Sequence, residues 1–265
     1  MKKALGGIFN GLIIFFLYAP LLVMMFFSFN ESKSTAVFTG FSLKWYEELF
    51  RNDNIIEAFQ NTLLIAVLSA VIATVLGTVA AVGLYRMRTK WVKNISIGVV
   101  NIPMLNPDII TGISMMLLFV FAGRFLAESS SLGFGTILIA HITFNLPYVI
   151  LNVMPKLRQT DPHLVEAAQD LGCHPLSAFF KTTLPQIVPG IFSGFLMSLT
   201  LSVDDFVITK FVGGTSFTTL PMIIYSSSRK GVPPDIYALS SLIFVVILVL
   251  LVVTNLIGAK SENKN

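Results

Sequence analysis

Charged side chains are scarce: Asp, Glu, Lys and Arg make up 12% of the 265 residues, against about 25% in soluble domains. With 54% hydrophobic residues and a mean hydropathy of +0.79, the composition indicates a membrane protein. Cysteine occurs once, at Cys173, which excludes an intrachain disulfide and suggests no thiolate metal cluster. The three histidines, His141, His163 and His174, show no metal-ligand spacing. Catalytic signatures are missing as well: there is no G-x-x-x-x-G-K-S/T, no G-x-G-x-x-G opening a helix, no H-E-x-x-H and no G-x-S-x-G. If the chain takes part in ATP-driven work, hydrolysis therefore belongs to another polypeptide. The formal charge of +4 calls for no nucleic-acid partner.

What is abundant is long apolar runs. Six spans of about 20 residues, each sufficient for a ~30 Å hydrocarbon core, are drawn at 8–29, 62–85, 95–122, 135–154, 186–209 and 237–258. The first follows Lys2 and Lys3 but is too long for a signal-peptide core and no small-residue cleavage site follows it, so it reads as a retained span. No repeat, low-complexity tract or soluble domain interrupts the pattern. The expectation is an all-α polytopic membrane helical bundle, residues 1–265 forming one transmembrane domain with its core at about 62–258. In the first loop, Trp45 and Tyr46 are expected as interfacial aromatics and 42–50 as a short surface helix; 220–227 is expected as a short re-entrant helix. Arg86, Arg88, Lys90 and Lys93 crowd one short loop. By the positive-inside rule that loop faces the cytoplasm, and so do both termini.

The one long polar insertion in the C-terminal half runs from Asp161 to Pro185. Asp161 suits an N-cap with Pro162 at the first helical position. Gly172 suits the left-handed residue that ends a helix. Pro175 can open a second short helix, and Pro185 is expected to block its continuation. Two short helices at an angle make a knob for another protein to grip. Glu166, Ala167, Ala168, Gly172, Leu184 and Pro185 carry the spacing Glu-Ala-Ala, three residues, Gly, nine residues, Ile-x-Leu-Pro, except that Thr182 stands at the Ile position. This resembles the EAA loop of ABC importer permeases. The resemblance implies a fold of the type I importer-permease kind, with Glu166 engaging a groove on an ATPase subunit.

Acidic residues within or near apolar runs are costly, at roughly 2.5–3.5 kcal/mol each on insertion scales. Asp108 lies in N-I-P-M-L-N-P-D, where Pro103 and Pro107 should break the third span and Asn106 could cap a half-helix. Counted from Ile95, it falls near the midplane if the segment crosses directly, or at a surface helix N-terminus if it does not. Asp204 and Asp205 fall late in the fifth span, either facing a solute path or lying at its aqueous end near Lys210. As neighbours on a helix they would point about 100° apart, so one could line the path while the other pairs with a neighbouring helix. His141, in the fourth span, reads as a hydrogen-bonded bundle residue, and Asn145 and Pro147 as a kink.

Beyond the loop, the S-F-N that ends the first span, I-P-x-x-x-P-D and V-D-D-F-V-I-T are similar to the C-type permease subunits of spermidine/putrescine ABC importers. That resemblance implies a second permease, two ATPase subunits that use ATP and Mg, an extracytoplasmic substrate-binding protein, and surrounding lipid. It implies no cofactor on this chain and a multi-pass location in the cell membrane. Carboxylates in the path favour a cation such as a polyamine over an oxyanion. Ferric ion, sulfate or phosphate as solute stays open, as does, more remotely, an intramembrane aspartyl protease using Asp108 with one of the adjoining acids.

Overall fold

The structure, a computed structural model, describes residues 2–33, 37–125, 132–161, 163–215, 217–228, 233–245 and 248. In chain order the helices are α1 (Lys2–Ser28), α2 (Lys44–Arg51), α3 (Asp53–Arg86), α4 (Lys90–Leu105), α5 (Asp108–Phe125), α6 (Phe134–Gln159), α7 (His163–Asp170) and α8 (Pro175–Ala178). A π-helical turn, Phe179–Thr183, then leads into α9 (Leu184–Asp204), α10 (Val207–Val212) and α11 (Leu220–Ser228), and Pro234–Val245 forms α12. No β-strand occurs among the described residues; Asn30 and Phe41 make an isolated antiparallel bridge.

Among the described residues, four helical segments are long and apolar enough to cross a membrane: Phe9–Ser28, Asp53–Arg86, Phe134–Gln159 and Pro175–Asp204. The expected second span is longer than its apolar run. At 34 residues α3 extends about 51 Å, well past a ~30 Å core, because Asp53 and Glu57 at one end and Arg86 at the other prolong it with polar turns. The expected third span is not one straight crossing: α4 and α5 meet at 106°. Asn106 takes an extended conformation (φ −81°, ψ 138°) and closes α4 rather than opening the next helix. Instead the Pro107 carbonyl receives the first bonds of α5, from Ile110 and Thr111, since proline restrains the residue before it to extended backbone. The expected sixth span, 237–258, lies mostly outside the described residues, beyond the end of α12. α6 runs unbroken through Pro147 and Pro155.

The described residues form two compact units, one within 57–223 and the other within the flanking stretches 1–56 and 224–265. In the flanking unit, α1 exposes Phe15, Phe16 and Leu17, as a lipid-facing span would. The residues after it are pinned by side chains: the Trp45 indole donates to the Asn30 carbonyl at 2.6 Å, and the Phe29 and Phe41 rings stack at 5.1 Å. Trp45 is therefore buried within the protein, at 2% exposure. The 42–50 helix is present as α2 and the 220–227 helix as α11.

In the central unit, α6 packs against α3 and α9. Val149, Ile150, Val153, Met154 and Leu157 of α6 meet Ala73, Ala81 and Leu84 of α3 and Ile187 of α9 in one apolar cluster. A second cluster joins Ile137, Ala140 and Phe144 of α6 to Ile65 of α3 and to Ile208 and Val212 of α10. The α6–α9 approach depends on Gly190. A Cβ there would stand 2.9 Å from the Asn152 carbonyl oxygen and 2.8 Å from Lys156 Cγ, so only glycine lets the helices close to this distance.

Candidate functional site

The 161–185 segment forms two short helices, α7 and α8, joined at Gly172. The Asp161 carboxylate accepts from the His163 N–H at 2.9 Å, satisfying a donor of the first turn of α7; Pro162 lies outside the described residues. At the other end, Gly172 has φ +85°. Its N–H donates to Gln169 O and the Cys173 N–H donates to Ala168 O, at 2.8 and 3.0 Å. That pair of bonds is the Schellman arrangement, which uses a left-handed residue to satisfy the last helical carbonyls.

Glu166 and Ala167 are exposed, Ala168 is half-buried and Gly172 is exposed, so the small-residue face lies open. Glu166 Oε2 accepts from His163 Nδ1 at 3.1 Å. This hydrogen bond, then the charges of Asp161 and Glu166, hold the His163 imidazole above the ordinary histidine value. Behind the loop is a cavity of about 410 Å³, lined by Arg86, Arg88, Asp161, Glu166 and Phe179 among others. There the Arg86 guanidinium lies 5.4 Å from the Phe179 ring centre, a cation–π distance.

Pro185 does not end the second helix: Pro175–Asp204 is one continuous 30-residue segment. The reason is the π-turn. Leu184 N–H reaches back five residues to the Phe179 carbonyl, so the wider turn takes up the register at the point where proline has no N–H to offer. Thr182 donates from its hydroxyl to Ala178 O at 2.7 Å. Leu184 is partly buried against the α3–α6 cluster, and Pro185 is exposed.

The three aspartates are not gathered at one point. Asp108 is the first residue of α5 and is exposed. The sharp α4–α5 bend means that counting residues from Ile95 does not give its depth. Asp204 and Asp205 adjoin, but the helix stops between them: α9 ends at Asp204, and Asp205 is extended (φ −68°, ψ 122°). The 100° argument for helical neighbours therefore does not apply. Asp204 is exposed, whereas the side chain of Asp205 retains 8% exposure.

Asp205 is spent on holding the break together. Its Oδ1 accepts from the Ile208 N–H at 3.2 Å, and its Oδ2 from the Thr209 N–H and the Thr209 hydroxyl at 2.8 Å each. It thus caps α10. His141 Nε2 stands 3.3 Å from Asp205 Oδ2 and 2.9 Å from Thr209 Oγ1. On the other edge of the ring, Nδ1 lies 2.6 Å from Ser202 Oγ, which lies 3.0 Å from Ser69 Oγ. Because a carboxylate only accepts, and the Thr209 hydroxyl proton already goes to it, Nε2 carries a ring proton. Four elements, α3, α6, α9 and α10, are thereby tied by one buried polar chain. His141 is the residue that joins them, and no local sequence signal marks its partners, 61 and 68 positions away.

Comparison with known proteins places this arrangement. A family profile described as "Binding-protein-dependent transport system inner membrane component" matches residues 73–263. The chain belongs to that family. Among similar proteins is the putrescine transport system permease protein PotI of Escherichia coli K12. It is 45% identical over 228 residues, covering 86% of this chain and 81% of that one. The spermidine/putrescine transport system permease protein PotC of the same strain is 37% identical over 263 residues, covering 99% and 97%. Among solved structures, a bacterial ABC transporter involved in alginate import superposes with a TM-score of 0.77 at 18% identity, over 98% of this chain and 96% of that one. The MetNI methionine ABC transporter in an inward-facing form gives 0.59 at 23% identity, over 81% and 95%. The fold is that of type I ABC importer permeases, and the chain is a membrane permease of a binding-protein-dependent transport system.

Proposed function

We propose that this chain is one of two permease subunits of an ATP-driven importer of spermidine or putrescine, acting as a single transmembrane permease domain. The observation that carries this reading is the 37–45% identity, over 86–99% of the chain, to permeases named for those two polyamines. Two exposed carboxylates support it, Asp108 and Asp204. Polyamines carry several ammonium groups along a flexible chain, and separated acids can pass such a cation onward provided each binds it weakly.

Energy comes from two ATPase subunits that use ATP and Mg; this chain binds no cofactor. The loop at Glu166 docks on one of them from the cytoplasm, where both termini also lie. An extracytoplasmic binding protein delivers the solute, and no nucleic acid takes part. Closure of the ATPase pair drives the two permeases between inward- and outward-facing arrangements.

The test is uptake by the complete complex in proteoliposomes, with labelled putrescine, spermidine, sulfate and ferric ion compared side by side. ATP-dependent accumulation of either polyamine, and of neither alternative, is the expected result. Uptake of sulfate or ferric ion without polyamine uptake would refute the assignment of the solute.

A further inference from the structure

We propose that His141 is a positioning residue for solute recognition, acting through Asp205: it clamps the break between α9 and α10 so that Asp204 is the carboxylate presented to the solute. The proposal rests on the reading of the chain as a polyamine permease and divides the labour between two adjoining acids that sequence alone leaves equivalent.

The geometry distinguishes them. Asp205 accepts from two backbone N–H groups and one hydroxyl, with the His141 imidazole 3.3 Å away. Three of these four partners converge on Oδ2, and the side chain is 8% exposed. An ammonium group could reach this carboxylate only by displacing bonds that define the start of α10, and it would leave buried donors unpaired. Asp204 ends α9 one residue earlier and is exposed. Its direction is set by where the helix stops, which is where Asp205 turns the chain into the extended conformation.

Asp205 in turn is held against α6 by His141, whose ring is itself fixed by Ser202 at Nδ1. Removing the Nε2 donor frees the carboxylate, loosens the first turn of α10, and lets the Asp204 backbone sample other directions. The solute then meets a carboxylate that is present but not pre-oriented, which weakens binding more than turnover.

Two substitutions separate position from mere packing. In His141→Gln the side-chain amide N–H can occupy the place of Nε2 and still reach Asp205. In His141→Asn the amide sits near the place of Nδ1 and falls short. The experiment measures polyamine uptake kinetics of the reconstituted complex and amide hydrogen exchange across 206–212. His141→Asn is expected to raise the polyamine KM about tenfold, with kcat within about twofold, and to speed exchange at Ile208 and Thr209 about tenfold. His141→Gln should restore most of both.

Asp204→Asn should raise KM similarly, and adding His141→Asn to it should change KM little further, because both act on one recognition step. Should His141→Asn fail to accumulate in membranes, Thr209→Val removes the shared hydroxyl at nearly constant volume and is expected to give the same pair of changes. A parental KM in the Asn variant, or fully additive effects with Asp204→Asn, would overturn the proposal even if exchange quickens. Unchanged exchange would overturn the clamp itself. Absence of polyamine uptake by the parental complex would instead defeat the solute assignment, leaving the exchange measurement to decide the clamp.

Discussion

Replacing Gly172 by valine isolates the contribution of backbone geometry in the 161–185 loop. Nothing lies within 4 Å of a Cβ built at Gly172, so the substitution creates no collision and its whole effect comes from φ, +85° in the structure. An L-residue held in the left-handed region costs about 1–2 kcal/mol, and a β-branched one stands at or above the top of that range. Against this are the two bonds made by the Gly172 and Cys173 N–H groups, together worth about 1–3 kcal/mol. The two quantities are of similar size, so the closed cap, dominant with glycine, becomes one of two comparably populated states with valine. A loss of about 2 kcal/mol corresponds to about a 30-fold shift in that equilibrium. The α7–α8 angle is then no longer defined, and the proposed docking of Glu166 and Ala167 on an ATPase is expected to weaken with it. The assay is the ratio of solute transported to ATP hydrolysed in the reconstituted complex, with retention of the ATPase during purification as a second readout. Gly172→Asn is the control, because asparagine tolerates positive φ, and it should lie between glycine and valine in both readouts. A valine variant with the parental coupling ratio, or an asparagine variant as impaired as valine, would refute the reasoning.

Two further outcomes can be checked directly. His163 should titrate above the ordinary value of about 6.5 in a histidine-selective NMR titration, and Glu166→Gln should lower it. Because the folded-state value is raised, the His163–Glu166 contact supports α7 fully below the unfolded-state value and is lost as pH rises through the folded one; a parental His163 titrating at or below 6.5 would count against the contact. For orientation, a cysteine at Arg51 in a Cys173→Ser background should react with an impermeant maleimide in intact cells, and one at Lys90 only after permeabilisation. The reverse pattern would place the Glu166 loop on the wrong side for an ATPase.

Local chemistry made the loop legible before the structure. Asp161, Gly172 and Pro175 act through neighbours within five residues, so their roles follow from capping and from φ preferences alone. Pro185 misled because its effect depends on the turn before it. A π-turn accommodates a proline that an unbroken α-helical register would reject, and nothing in F-F-K-T-T announces that turn. The α4–α5 bend was half legible: Pro107 marks a break, but the 106° angle depends on what each half packs against. From sequence, Asp204 and Asp205 look like one helical pair because the apolar run continues past them through Phe206 and Val207. That Asp205 caps a new helix was available in D-F-V-I-T, an acid followed three and four residues on by the N–H groups that donate to it. That His141 braces the cap was not, since only tertiary packing brings α6 against this break.

The continuity of Pro175–Asp204 has a mechanical consequence. A segment that begins in the loop and ends at the exposed Asp204 acts as a rigid lever, with the π-turn as its collar and the Gly190 contact with α6 as a close fulcrum. From Gly190 to Asp204 the working arm measures about 21 Å. A tilt of about 10° about that contact therefore sweeps the far tip by about 4 Å. A stroke of that size exceeds the reach of any single hydrogen bond. The tip cannot travel through it while the His141 latch stays fastened to both ends of the gap, so either α6 swings with α9 or the latch lets go. A hinge at Pro185 would have absorbed the same torque as flexing and delivered no stroke.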